Sequence, residues 1–180
     1  MNTAKLIGMS SGLIIGLLLA ICLFRFFNKD HATKTKYDER QNFLRLKAFK
    51  IGFWVTLCAG TLFMFLNSLE IDLPLDMGMQ CFTIVIVGIL ALASASLWNN
   101  SYWGLNTNKT RFWICMIVAM LINIMVPIMR IIDGTFLTNG KLCIMPGTNL
   151  YCALIIMVIG IEYIIKTIVD KKAGDDIEES

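Results

Sequence analysis

Long apolar blocks separated by short polar connectors dominate the chain, at 6–27, 49–69, 78–98, 112–132 and 150–169. Each block can cross a hydrocarbon core of about 30 Å, which takes roughly 20 residues of α-helix. Lipid offers no partner to an open backbone, so helices are the form such blocks take. The pattern predicts an all-α fold, a polytopic transmembrane helical bundle of five spans. No connector is long enough to build a soluble core of its own. The chain divides into a first span with a small-residue strip over 1–27, a basic loop with an interfacial helix over 28–48, a four-helix membrane region over 49–170 and an acidic tail over 171–180. The first block is read as a span rather than a cleaved signal, because it is long and ends in Phe24-Arg25-Phe26-Phe27 without small-residue spacing.

Composition agrees with this reading. Hydrophobic residues make up 57% of the chain and charged ones 16%, with mean hydropathy +0.69, too apolar for a water-soluble globule. The net charge of +3 hides a segregation. Arg25, Lys29, Lys34, Lys36, Arg40, Arg45, Lys47 and Lys50 flank or fill the first connector, whereas the second carries Glu70, Asp72 and Asp76 and the third Lys109 and Arg111. By the positive-inside rule the N-terminus lies outside and the C-terminus in the cytoplasm. Trp54, Trp98, Trp103 and Trp113 fall near the expected inner ends, where indoles favour the interface. The basic face suits anionic lipid headgroups rather than nucleic acid. The tail, with Asp175, Asp176, Glu178 and Glu179, is expected to be disordered and solvated.

Small residues mark close helix contacts. Ala4, Gly8, Gly12, Gly16 and Ala20 recur every four positions in the first span. This strip is expected to pack within the chain, with a homodimer through Gly8, Gly12 and Gly16 as the sharper alternative. Gly52, Thr56 and Gly60 repeat the device in the second span, and Gly88, Ala91, Ala95 and Ser96 in the third. Pro127 removes a helical amide and predicts a kink, with Asn123 as polar glue beside it.

Glu162 is the one acidic residue well inside a span, and such a carboxylate is a candidate proton or cation site. Lys166, one turn later, offers it a helical partner, and that structural pair is the simpler account. Asn123 reaches a similar depth and completes a candidate polar site with Glu162 and Lys166. Arg130 has Asp133 as its natural partner. Cys143 and Cys152 are a candidate disulfide, with free thiols equally compatible. His31 is the sole histidine, and no Cys-x-x-Cys, His-Glu-x-x-His or glycine-rich phosphate loop occurs, so neither a catalytic site nor a metal or cofactor is expected.

Tyr37-Asp38-Glu39-Arg40-Gln41 opens a stretch expected to form a helix on the headgroups before turning into the second span. Asp38, Glu39, Arg40, Arg45 and Lys47 are its candidate partner or lipid contacts. The segment from Tyr37 to Phe53 resembles small, uncharacterised bacterial membrane proteins of Firmicutes type that carry Tyr-Asp-Glu-Arg-Gln before a transmembrane helix, although Leu46 stands where that pattern has glycine. The resemblance implies a bacterial plasma membrane and supplies no activity. The expected function is a noncatalytic, partner-binding or regulatory membrane component. The alternative is a small oligomeric transporter or channel built on the intramembrane carboxylate.

Overall fold

The structure is a computed structural model that describes residues 3–178, with side-chain surroundings for 10–12 and 14–173. It contains α1 (Thr3–Phe27), α2 (Glu39–Ser68), α3 (Met77–Trp98), α4 (Lys109–Ile132) and α5 (Ile144–Glu178). A short hairpin of β1 (Leu137–Thr138) and β2 (Lys141–Leu142) precedes α5. All five helices are long and apolar enough to cross a membrane, so the chain is a multi-pass helical membrane bundle. One end gathers Lys29, Lys34 and Lys36 of the link from α1 to α2 with Lys109 and Arg111 at the start of α4, and is called the basic end below.

At the other end a single carboxylate starts two helices. Asp76 is the N-cap of α3, accepting the Met79 amide at 2.6 Å, and its second oxygen accepts the Ile144 amide of α5 at 3.3 Å. Two parallel helices put their positive dipole ends side by side, and an anion between them relieves the repulsion. The hairpin brings Ile144 there: Leu142 and Pro74 pair backbone to backbone at 2.9 Å, the Asp76 amide donates to the Leu142 carbonyl at 3.1 Å, and Lys141 forms an ion pair with Asp72. Its turn is Asn139-Gly140, both at positive φ (51° and 75°), the pair favoured in tight hairpins.

From this clamp α3 and α5 run parallel in one register. Asp76 meets Ile144, Thr83 meets Tyr151 and Ser94 meets Glu162, each pair separated by 68 residues. Gly147 lies against Met79 with the same offset, leaving no room for a β-carbon. Steps of three and four residues along both helices are those of a left-handed coiled seam. Eighteen residues of seam span about 27 Å, close to the thickness of the hydrocarbon core.

On its other side α3 meets α2. A β-carbon at Gly52 would sit 2.8 Å from Leu92 Cβ and 3.0 Å from the Gly88 carbonyl, and one at Gly88 would collide with Thr56. The small residues of these two spans thus set a close crossing, as expected. Asn67 donates to Gln80 at 2.7 Å near its end. α4 packs on α5 and continues as one helix through the buried Pro127.

α1 departs from expectation. Nothing lies within 4 Å of a β-carbon placed on Gly12 or Gly16, so that part of the strip does not pack within the chain; the surroundings of Gly8 lie outside the described residues. No residue of 10–27 in its apolar window is buried, and α1 is tied to α4 at the basic end. Gly12 and Gly16 therefore meet no neighbouring backbone, whereas Gly52 and Gly88 do.

Two boundaries also differ. The helix expected to open at Tyr37–Gln41, lie on the headgroups and then turn is instead continuous with the second span from Glu39 on, in the 30-residue α2. A capping box of Asp38 and Gln41 starts it, and no proline or glycine interrupts it before Gly52. At about 45 Å it outruns the hydrocarbon core, and its first turns project beyond it. The acidic tail, expected to be disordered, continues α5 as helix to Glu178. Trp54, expected near an end, sits level with Gly88 at the middle of α3.

Replacing Asp76 with alanine is expected to reduce unfolding free energy by about 2 kcal/mol, roughly one for each helix start that loses its cap. Asparagine, which also caps, should recover much of it. Circular dichroism during titration with a denaturing detergent checks this; equal stability of all three proteins would show that Asp76 is not the clamp.

Candidate functional site

The basic end is built by two connectors that fold onto each other. Residues 28–38 link α1 to α2, and 99–108 link α3 to α4. Asn28, 1% exposed, donates to the Ala32 carbonyl at 2.7 Å, which closes the first connector on itself. Asn106, 8% exposed, reaches across: its side-chain oxygen accepts the Lys36 amide at 2.9 Å, and its Nδ2 donates to Asp30 at 3.0 Å and to the Lys34 carbonyl at 3.2 Å. Backbone bonds from Lys29 to Asn106 (2.7 Å), from Asn108 to Phe27 (2.7 Å) and from Leu105 to Lys36 (2.8 Å) complete the join. Gly104 is required, since a β-carbon there would meet the Lys36 carbonyl at 2.8 Å. The buried side-chain amides of Asn28 and Asn106 thus find partners, which is what allows polar connectors to have a fixed shape.

Aromatic rings wedge the same region. Trp103 packs edge-on against Phe112 at 5.1 Å and Tyr163 at 5.7 Å, and Trp113 lies 5.0 Å from Tyr163. Burial, and to a lesser extent nearby Tyr37, pushes the Tyr102 phenol up to about 12. Gln41, besides capping α2, donates to the Trp103 carbonyl at 3.3 Å and so fixes α2 to the second connector.

The charges of this end are partly spent on structure. Asp30 pairs with Lys36 at 2.7 Å, and this bond, then that from Asn106, holds its carboxyl down to about 2. Asp38 caps α2. Arg45 stacks over Tyr37 at 3.8 Å and Lys47 lies 4.7 Å from the Phe43 ring. Of the expected contact residues, Glu39 and Arg40 are exposed in the first turn of α2, and Lys29 and Lys34 of the preceding connector are exposed too.

Inside the membrane region the polar residues do not assemble as expected. Glu162 accepts a hydrogen bond at 3.0 Å from Ser94 of α3, and its other oxygen is buried without a partner among the described residues. Lys166 does not pair with Glu162; it bonds Asp170 at 3.1 Å. The lysine stem extends toward the helix end, where its ammonium meets a carboxylate one turn nearer the interface. Asn123 turns back to the Ala119 carbonyl of its own helix at 2.8 Å, away from Glu162. Arg130 donates to Thr135 rather than Asp133. Cys143 and Cys152 are both free thiols. Nine residues of largely helical chain separate them by about 13 Å, beyond what a disulfide spans. Among the described residues no cluster of three metal-ligating side chains occurs.

Ser94, Asn28 and Asn106 were not singled out by the sequence, and Gln41 only as part of the motif that opens α2. The connector Asn99-Asn100-Ser101-Tyr102-Trp103-Gly104 carries the one available signal, a density of side-chain amides and rings unusual for a passive loop. Comparisons with known protein families, with curated proteins and with solved structures found no match.

The depressed Asp30 fixes a sign. Its bonds contribute fully above the ordinary carboxyl value of 3.8 and fade as pH falls toward about 2. Protection of the Lys36 amide from hydrogen exchange, corrected for intrinsic rate, should hold from neutral pH to about 4 and drop below it, modestly because the ion pair is exposed. Asp30→Asn should remove the step. A step unchanged in that variant would assign it to another group.

Proposed function

We propose that the protein is a noncatalytic component of a bacterial plasma membrane, N-terminus outside and C-terminus in the cytoplasm, whose basic end docks an acidic segment of a partner protein. The observation that carries this reading is the buried junction of Asn28 and Asn106, which holds two connectors in one shape. Attraction to lipid headgroups alone needs no fixed shape, since flexible polybasic segments achieve it. Asp30 and Asp38 are engaged internally, so exposed Lys29, Lys34 and Arg40, against exposed Glu39, leave a net positive surface complementary to carboxylates.

A photo-crosslinking residue at Lys34 or Arg40 in cells should give one adduct of discrete mass. Asn106→Ala should abolish it while leaving the amount of protein in the membrane unchanged, and Lys29→Glu with Lys34→Glu should do the same. Lipid adducts alone, or an adduct indifferent to Asn106, would overturn the docking reading.

A small oligomeric transporter or channel is the second reading, favoured by the unpartnered oxygen of Glu162, because intramembrane carboxylates mark ion and proton paths. On this reading, proteoliposomes should pass protons and Glu162→Gln should stop the flux. Flux that survives the substitution would remove Glu162 from any path.

A further inference from the structure

Two spaces meet beside the aromatic wedge. A cavity of about 480 Å³ opens at the basic end, lined by Gln41, Trp103, Lys109, Lys166 and Asp170. A groove of about 380 Å³ runs between α4 and α5, lined by Trp113, Ile117, Met120, Gly160 and Ile164, with almost no polar surface. Tyr163 lines both. Each volume falls within the roughly 300–1,000 Å³ of small-molecule sites. Their chemistry differs sharply, one charged and one oily, and Tyr163 is the wall they share.

We propose that these spaces form one site for an anionic phospholipid, with the phosphate between Lys109 and Lys166 and one acyl chain in the α4/α5 groove. Lys166 is 9% exposed and is steadied by Asp170 at 3.1 Å and by the Trp98 ring at 5.8 Å. Lys109 lies 5.8 Å from the Trp103 ring. Two ammonium groups against one carboxylate leave a single positive charge, which matches a phosphodiester. A soluble phosphate compound would have no use for the groove, which extends about 12 Å along α5 away from the basic end, the course of a lipid chain. The rings of Trp103 and Trp113 line the cavity and the groove respectively, whereas their indole N–H groups are buried without an acceptor among the described residues.

The test uses the full chain, with Trp54 and Trp98 replaced by phenylalanine so that emission reports Trp103 and Trp113. It is reconstituted in phosphatidylcholine nanodiscs containing increasing fractions of phosphatidylglycerol brominated on its acyl chains, a contact quencher. Quenching should saturate at a lower fraction than with brominated phosphatidylcholine. Lys109→Glu should weaken the preference for the anionic lipid roughly fivefold or more, as expected for one interfacial basic residue, and Lys109→Arg should retain it. Gly160→Leu, which fills the groove beside Trp113, should reduce quenching by both lipids. Equal quenching by the two lipids in the parent protein, or no effect of Lys109→Glu, would overturn the proposal. Displacement of the brominated lipid by glycerol phosphate lacking chains would overturn it too, and assign the cavity to a soluble phosphate compound.

Discussion

The fold depends on where two helices begin. Asp76 gives one oxygen to the first turn of α3 and the other to the start of α5, and every later contact between those helices inherits the resulting offset. A helix in lipid has few directional contacts to fix its height against a neighbour, because apolar faces slide past one another at little cost. A charge-assisted cap supplies the missing direction. The Ser94–Glu162 bond, 18 residues further along each helix, is geometrically possible because the count started together.

Around this parallel pair the other helices attach by different means. α2 closes on α3 through absent side chains, where Gly52 and Gly88 let backbone approach backbone. α4 follows α5 through aromatic rings at the basic end and an open groove further down. α1 is held by its last turn, where Phe27 packs against Phe112 at 5.3 Å and Arg111 donates to the Phe26 carbonyl at 3.4 Å. The connectors at the basic end are thus structural parts of the bundle, since they carry much of the attachment of α1.

Much of the architecture was legible in the sequence, and the reason is the membrane. Apolar blocks of span length leave one secondary structure open, so the five helices follow from hydropathy. The Gly52 and Gly88 contacts were legible because small residues have few other uses in such a helix. The site was less so. Glu162 stood out as a lone intramembrane acid, but its partner depends on a register between helices 68 residues apart, which no local pattern encodes. Lys166 was assigned by local spacing to Glu162; tertiary packing placed that acid against α3 and left the lysine to Asp170. Asn28 and Asn106 read as ordinary loop residues because their burial arises from the meeting of two connectors. The helix over 39–48 was legible, but its unbroken run into the second span was not, since charge and amphipathic character suit a helix lying on the headgroups equally well.

The attachment of α1 also orders events during synthesis. Chains emerge N-terminus first, so α1 is made long before the residues that secure it. The Lys36–Asn106 bond joins positions 70 apart and the Arg111–Phe26 bond positions 85 apart. Until residues 99–111 leave the ribosome, these contacts between α1 and the rest of the bundle cannot form. α1 then waits with its own apolar surface against lipid while α2 and α3 are made. Its exposed Ile14, Leu17, Leu18 and Ile21 suit that waiting state as well as the finished bundle.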